Sequence, residues 1–209
     1  LCPYLFVMRL IIITDPEFLP GEAEIIKRML DEGAWRIHVR KPGADAESTV
    51  RLIEALPAEY RGRISLHDHH GTAAGLGTGG IHLNSRNPLP PGDFQGMVSC
   101  SCHSLEEVVS HRDAVDYMFL SPIFDSISKQ GYKSHFSLEE LRNFISTAAA
   151  VKEGSGLFAL GGVTPGSLPL LKEAGFSGAA VLGYLWEPYK RDFDIDALIK
   201  RLTEFKMGI

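Results

Sequence analysis

The stretch IHVRKPG, residues 37–43, places two basic side chains where a short strand gives way to a turn. Its two aliphatic residues alternate with His38 and Arg40, and residues two apart on a strand share one face. Burial of the aliphatic pair against helices therefore turns Arg40 towards the opposite face. An enclosed guanidinium requires an anion, which is either a bound ligand or a structural partner such as Asp15 or Asp68.

Other short apolar runs also end in polar residues: Thr14, Asp15, His67, Asp68, His82, Asn84, Ser101, His103 and Ser121. Each alone could be a turn residue, but the carboxyl ends of parallel strands meet at one edge, where binding sites of such folds lie. If the protein moves protons, the candidates are His38, His67 and His103, and His67 at a strand end is our first choice because imidazole titrates near neutral pH. Asp68 is a candidate ligand for a Mg²⁺ ion that a phosphorylated substrate brings with it. Contiguous residues do not converge as structural zinc ligands do.

Two glycine-containing segments are typical of phosphate-binding turns. FALGGVTPGS contains Gly161 and Gly162 after an apolar run, and AAVLGYLW places Gly183 after the last such run. Glycine lets backbone N–H groups approach an anion closely. A third anion-binding segment is predicted at 121–131, with an ordinary polar loop as the alternative; its candidate groups are Ser126, Ser128 and Lys129.

The elements that must position these residues can be predicted from the apolar pattern. Eight apolar runs predict strands at 9–14, 36–40, 63–67, 80–83, 97–102, 116–121, 157–160 and 178–182. Amphipathic segments predict helices at 22–32, 46–56, 104–111, 137–150, 166–174 and 194–206. SLEE at 104–107 and at 137–140 is a capping box, and Thr164 before Pro165 is a further helix start.

The alternation of strands and helices predicts parallel strands joined by right-handed crossovers. Eight such units in about 200 residues predict an α/β fold, a (β/α)8 TIM barrel that forms one domain over residues 1–209. A doubly wound open sheet is the alternative.

The composition favours small anions over polymers as ligands. The formal net charge is −5 and the pI is near 5.9, so no general basic field attracts nucleic acid. The apolar start of the chain has Arg9 in its middle and no cleavage site, which predicts neither a signal peptide nor a membrane span. Cys2, Cys100 and Cys102 form no disulfide framework, which favours reduced thiols and a cytoplasmic location. The serines that alternate with the last two cysteines are predicted to face the barrel interior.

Taken in order, nine motifs resemble the thiamine phosphate synthase superfamily, which includes the thiazole tautomerases: ITD, IHVRK, SLHD, GIHL, SCSCHSLEE, DYMFLSPIF, SxSK, ALGGVTP and GAAVLG. The resemblance spans residues 9–186. It implies a barrel, usually a homodimer, that binds a thiazole phosphate. In the synthase branch this ligand is joined to an aminopyrimidine diphosphate with Mg²⁺, and pyrophosphate is released.

The synthase pattern is matched only in part. Pro42 stands where the pattern has a lysine, and Asn87 where it has a second Mg²⁺-binding aspartate. His67 replaces an asparagine next to the retained ligand Asp68. The tautomerase branch shares I-H-x-R and H-S-L-E-E, but its histidine on strand six aligns with Pro122.

The resemblance therefore implies a transferase of thiamine biosynthesis. A thiazole tautomerase-like isomerase that uses His67, His38 or His103, and a non-catalytic binder of thiazole phosphate, are the alternatives. The expected catalytic residues are Arg40, His67 and Lys129, and Asp68 is the expected metal ligand. Substrate binding is expected of His38, Ser101, Ser126, Ser128, Gly161, Gly162 and Gly183.

Overall fold

Eight parallel strands follow one another around a closed barrel in a computed structural model, which describes residues 8–125, 136–147 and 156–206. The strands are β1 Arg9–Ile13, β2 Arg36–Val39, β3 Ile64–Leu66, β4 Gly80–Leu83, β5 Met97–Cys102, β6 Tyr117–Leu120, β7 Gly156–Leu160 and β8 Gly178–Val181. The last strand pairs with the first, with Arg9 opposite Gly178. This confirms the predicted (β/α)8 barrel, and the open-sheet alternative is wrong because the sheet has no edge.

Helices surround the barrel at α1 Glu22–Asp31, α2 Ala46–Glu54, α3 Ala58–Arg61, α4 Ala73–Leu76, α5 Leu105–His111, α6 Leu138–Ser146, α7 Leu168–Ala174, α8 Gly183–Asp192 and α9 Ile195–Lys206. Short 3-10 turns precede α4 and α7, at His70–Thr72 and Pro165–Ser167. Within the ranges that the structure describes, no helix combines the length and hydrophobicity that crossing a membrane requires.

The predicted helix starts are present. The hydroxyl of Ser104 accepts the Glu107 N–H at 3.2 Å, and that of Ser137 accepts the Glu140 N–H at 3.1 Å. Thr164 begins the 3-10 turn before α7 rather than the helix itself. The pattern did not predict α8, because it begins at a glycine and contains Pro188, both of which weaken a helix signal.

Two apolar layers explain where the cavity lies. The outer layer joins strands to helices and includes Ile37 and Val39, which confirms the predicted orientation of β2. The inner layer fills the barrel with Ile11, Ile13, Tyr117, Phe119, Phe158 and Ala180. At the amino ends of the strands, Trp35 stacks on Phe158 with ring centroids 5.4 Å apart, and the Arg9 guanidinium lies 4.4 Å from the Trp35 centroid. The interior is therefore closed at that end.

Candidate active site

A cavity of about 770 Å³ opens beside the carboxyl ends of the strands. Its size is within the range that holds small-molecule ligands. Apolar side chains from the strands contribute to its wall, and residues predicted from strand ends supply polar groups: Arg40, His67, His82, Asn84, Ser101, His103 and Ser121. Gly161, Gly162 and Gly183 line the same cavity.

Arg40 follows β2 and is half-buried at the cavity wall. Its backbone is fixed by Thr14, whose hydroxyl accepts the Arg40 N–H at 3.0 Å and donates to the Arg40 carbonyl at 3.4 Å. Among the described residues its guanidinium forms no ion pair. The two carboxylates considered as partners bind other cations: Lys190 lies 3.2 Å from Asp15, and Arg86 lies 2.9 Å from Asp68. The Arg40 charge is therefore available to an anion in the cavity.

Lys41 points away from the cavity. Its ammonium donates to the carbonyls of Asp15 (2.9 Å) and Glu17 (2.7 Å) and to the Glu22 carboxylate (2.5 Å), and the side chains of this ion pair are 2% exposed. Burial raises the pKa of Glu22 and lowers that of Lys41, and the partner's charge opposes each shift. Lys41 thus anchors the connection between β1 and α1, and it does not replace the lysine missing at Pro42.

A hydrogen-bonded chain of buried side chains runs from the barrel interior to the cavity. The Tyr117 hydroxyl lies 2.7 Å from His38 Nε2 and 3.2 Å from the Ser65 hydroxyl. His38 Nδ1 lies 2.9 Å from His67 Nε2. The His67 ring lines the cavity, and its Nδ1 has no hydrogen-bond partner among the described residues. The chain can therefore pass a proton between the interior and a ligand at His67.

The structure corrects the role expected of His38. Its side chain has no exposed surface and lies in the barrel interior, hydrogen-bonded to His67, so it cannot contact a ligand directly. The two-residue period places His38 and Arg40 on one face of β2, but it does not give their depth along the barrel. His38 positions the ring of His67 instead.

His82 on β4 completes a group of three neutral imidazoles. Its Nδ1 lies 2.9 Å from the Ser99 hydroxyl and its Nε2 lies 3.0 Å from that of Ser101, and its ring stacks on His67 at 4.2 Å. Burial lowers the pKa of His38 and of His67 well below the usual value, and it lowers the pKa of His82 to about 3.

The three imidazoles lie close enough together for a metal ion. Their nitrogens are largely occupied by hydrogen bonds to one another and to hydroxyl groups, however. The cluster is therefore better explained as a neutral hydrogen-bond network, in which His82 orients the Ser101 hydroxyl at the cavity wall.

Asp68 is the carboxylate expected to bind Mg²⁺. It accepts hydrogen bonds from the Arg86 guanidinium at 2.9 and 3.2 Å and from the Asn87 amide at 3.2 Å. The Arg86 side chain is 64% exposed, so this ion pair is weak. The Asp68 carboxylate fits a Mg²⁺ ion that keeps several waters and takes other ligands from substrate phosphates, whereas Asn87 presents its NH₂ group to Asp68. Arg86 would have to release Asp68 first.

Gly161 and Gly162 adopt φ values of 93° and 64°, in the left-handed region that favours glycine. The turn lies against the segment after β6, where the Phe124 N–H donates to the Gly161 carbonyl at 3.1 Å. A Cβ atom on Gly161 would lie 2.9 Å from Pro122 Cα, and one on Gly162 would lie 2.7 Å from Phe124 Cβ. Only glycine permits this close approach.

Several backbone amides at the same rim have no partner among the residues that the structure describes. The N–H groups of Gly162, Gly183 and Tyr184 donate to no acceptor within the described ranges. Gly183 is the first residue of α8 rather than the last of β8, so its amide lies at the positive end of a helix dipole. These N–H groups can bind a phosphate.

Some predicted site residues lie outside the described ranges, and two residues of the site were not predicted from the sequence. The predicted anion-binding residues Ser126, Ser128 and Lys129 lie outside the described residues, so their roles stay predictions. Tyr117 and Arg86 were missed. Tyr117 alternates with Phe119 on an apolar strand and carries no local polar signal, and Arg86 lies in a proline- and glycine-rich connection without periodicity.

Fold and cavity together define a (β/α)8 barrel with a cavity of small-molecule size at the carboxyl ends of its strands. The family model described as thiamine monophosphate synthase matches residues 10–185. The chain belongs to this family of transferase-type enzymes of thiamine biosynthesis, as the order of its motifs indicated.

Individual relatives agree with this assignment. The chain is 26% identical to a thiamine-phosphate synthase of Lactiplantibacillus plantarum, over 96% of this chain and 95% of that protein. A crystal structure of thiamine phosphate pyrophosphorylase from Bacteroides thetaiotaomicron is 37% identical, with a TM-score of 0.85 over 96% of this chain and 97% of that one. The thiamine phosphate pyrophosphorylase of Pyrococcus furiosus, 20% identical with a TM-score of 0.71 over 96% of this chain and 95% of that one, shares the fold.

Proposed function

We propose that the protein joins a thiazole phosphate to an aminopyrimidine diphosphate and releases pyrophosphate. The observation that supports this best is the presence of two anion-binding groups on one cavity. One is the Arg40 guanidinium, which is unpaired within the described ranges, and the other is the set of free amides at Gly162 and Gly183.

The phosphate ester of the thiazole binds the amides that follow β7 and β8. Unpaired N–H groups at a helix start favour a doubly charged group, and glycine allows it to approach the backbone. The heterocycle then lies against apolar side chains of the cavity wall, such as Ile13, Phe119 and Leu160.

The diphosphate binds on the side of Arg40, with Ser126, Ser128 and Lys129 as further predicted contacts. During transfer the bond from the pyrimidine methylene carbon to the diphosphate oxygen breaks, and a bond to the thiazole nitrogen forms. Negative charge grows on the departing pyrophosphate, so fixed cations there stabilise the transition state. When bound, Mg²⁺ adds neutralising charge at the diphosphate, and Asp68 would hold it; Asn87 could join only if its side-chain amide turned its oxygen towards the ion.

A coupling assay tests this function. Purified protein, both substrates and Mg²⁺ are expected to yield thiamine phosphate. Arg40→Gln is expected to lower kcat/KM by about 10- to 100-fold, because a hydrogen bond to a charged group is worth about 1.5–3 kcal/mol. Arg51→Gln, on the exposed face of α2, is the matched control and should leave the rate unchanged. Absence of product despite measurable binding of thiazole phosphate would contradict transfer and favour a non-catalytic binder.

A thiazole tautomerase-like isomerase is the second candidate, and the chain from Tyr117 through His38 to His67 favours it. Tautomerisation moves a proton between two atoms of one ligand, which needs a group that accepts and returns a proton at the cavity. Incubation with the thiazole carboxylate tautomer tests this, and His67→Ala should abolish the conversion. An unchanged rate in His67→Ala would exclude His67 as the proton carrier.

We further propose a cytoplasmic homodimer. Light scattering of the purified protein gives the oligomeric state, and cell fractionation gives the location. A monomer at micromolar concentration, or recovery outside the cytoplasm, would contradict these two proposals.

A further inference from the structure

Strand β5 turns its two thiols away from the barrel interior. Cys100 and Cys102 belong to the layer between strands and helices, whereas Ser99 and Ser101 face inwards, as their alternation predicted. Helix α5 follows this strand and ends at His111. Both sulfur atoms and one ring nitrogen of His111 lie within 4.8 Å of one another. The sequence did not indicate His111 as a partner of the two cysteines, because only the fold of α5 against β5 brings it close to them.

The hydrogen bonds of His111 leave one nitrogen available as a ligand. Its Nδ1 lies 2.8 Å from the Glu107 carbonyl oxygen and 3.0 Å from the Ser110 hydroxyl. A carbonyl only accepts, so Nδ1 carries the hydrogen in the neutral ring and Nε2 keeps its lone pair. A histidine that donates its second N–H to a backbone carbonyl is the usual arrangement at protein metal sites.

The cluster is accessible to an ion from solvent. Cys100 and His111 line the cavity described above together with Glu107, and His111 is exposed. Cys102 is fully buried, so an ion held by all three residues would be partly shielded from water.

We propose that Cys100, Cys102 and His111 bind Zn²⁺ as a three-ligand site whose fourth position is open to water. Zn–S bonds of about 2.3 Å and Zn–N bonds of about 2.0–2.1 Å place tetrahedral ligands about 3.5–4 Å apart. The two sulfur atoms and the His111 nitrogen, which lie within 4.8 Å of one another, must move closer together to reach that geometry. Binding deprotonates both thiols and releases two protons. The bound ion links β5 to the carboxyl end of α5.

Cobalt spectroscopy tests this site without reference to enzyme activity. The full-length chain is prepared with Cys2→Ser, so that Cys100 and Cys102 are its only thiols. Titration with Co²⁺ is expected to produce thiolate-to-metal charge-transfer absorption with a stoichiometry of one ion per chain. Added Zn²⁺ should remove this absorption. Its absence at saturating Co²⁺ overturns the proposal.

Three variants identify the ligands. Cys102→Ser should lose most of the charge-transfer intensity, and circular dichroism reports whether it remains folded. His111→Gln changes an exposed residue, so it should fold normally and raise the Co²⁺ Kd by more than about tenfold. His103→Gln is the matched control, because His103 lines the same cavity outside the cluster, and its Kd should not change. An unchanged Kd in His111→Gln also overturns the proposed ligand set.

Discussion

Replacing Gly162 by alanine should damage both the fold and the anion site. Gly162 has a φ of 64°, and a Cβ atom there would meet the backbone carbonyl oxygen of Asp125 closer than real Cβ atoms come. It would also lie 2.7 Å from Phe124 Cβ and 2.9 Å from the Phe124 carbonyl carbon. Most of these atoms belong to the backbone, so the neighbouring segment cannot yield by a simple side-chain rotation.

The expected loss of stability follows from two separate costs. A non-glycine residue in the left-handed region costs about 1–2 kcal/mol. Overpacking by one methyl group costs about 1–3 kcal/mol. The free energy of unfolding should therefore fall by about 2–5 kcal/mol. For a chain of this size each kcal/mol lowers Tm by about 2–4 °C, so a decrease of about 4–20 °C is expected.

The same substitution should weaken phosphate binding. If the Gly162 N–H donates to the phosphate of the thiazole ligand, displacing it removes a charge-assisted hydrogen bond worth about 1.5–3 kcal/mol, or 10- to 100-fold in Kd. Calorimetric titration with thiazole phosphate, well below the Tm of the variant, measures this effect.

Gly166→Ala is the matched control for Gly162→Ala. A Cβ atom on Gly166 would have its nearest neighbour, the Thr164 hydroxyl, at 3.9 Å. Its stability should change by less than about 0.5 kcal/mol, and its Kd should match that of the wild type. A Gly162→Ala protein with normal Tm and normal affinity would refute the reasoning. Lower stability with normal affinity would show that the glycine serves packing alone and that the phosphate binds elsewhere.

Three further predictions concern buried charge, acid stability and metal use. Lys41→Met should lower the free energy of unfolding in urea by about 3–5 kcal/mol, because it leaves Glu22 buried without its partner. Adding Glu22→Leu to this variant should restore most of the lost stability. If the losses of the two single variants instead add up in the double variant, this reasoning is contradicted. His38 and His82 have folded pKa values below their unfolded value near 6.5, so their contribution to stability is present above pH 6.5 and is lost as pH falls, at up to about 1.4 kcal/mol per pH unit for each ring. When the free energy of unfolding in urea is plotted against pH, His82→Gln should reduce the slope by the equivalent of one proton. An unchanged slope would contradict the assignment. Arg86→Gln should lower the Mg²⁺ concentration for half-maximal coupling by up to about fivefold, since an exposed ion pair is worth about 0.2–1 kcal/mol. Arg51→Gln should leave this concentration unchanged. A higher Mg²⁺ concentration for half-maximal coupling in Arg86→Gln would contradict competition between Arg86 and the ion for Asp68.

Local sequence patterns predicted the barrel well because each strand and most helices have their own signal. The alternation in β2 gave the correct face for Ile37 and Arg40, and the hydroxyls of Ser104 and Ser137 marked two helix starts. The start of α8 was not predicted because glycine and proline suppress a helical pattern while the tertiary structure still supports the helix.

The interior of the site was harder to predict because its contacts join residues far apart in the chain. His38 and Tyr117 are separated by 79 positions, and nothing in either segment indicates that they meet. Depth along the barrel axis is also invisible to a two-residue period, which is why His38 was expected at the ligand. The pairing of Arg86 with Asp68 depends on the course of an irregular connection, which no periodic pattern reports.

Positive groups and neutral hydrogen-bonding groups lie on different sides of the cavity. Arg40 after β2 and the amides after β7 and β8 supply positive charge, whereas the groups from β3 to β5, at His67, His82 and Ser101, are neutral hydrogen-bonding groups. Burial is the largest cause of the lowered pKa of His67 and of His82, and neighbouring histidines and the Arg40 charge lower both further, because a second cation nearby is disfavoured. These effects together keep His67 neutral, and they also make it a weaker base than an exposed imidazole. A ligand that spans the cavity meets positive charge on one side and neutral hydrogen-bonding groups on the other, as the thiazole phosphate of the proposed function would.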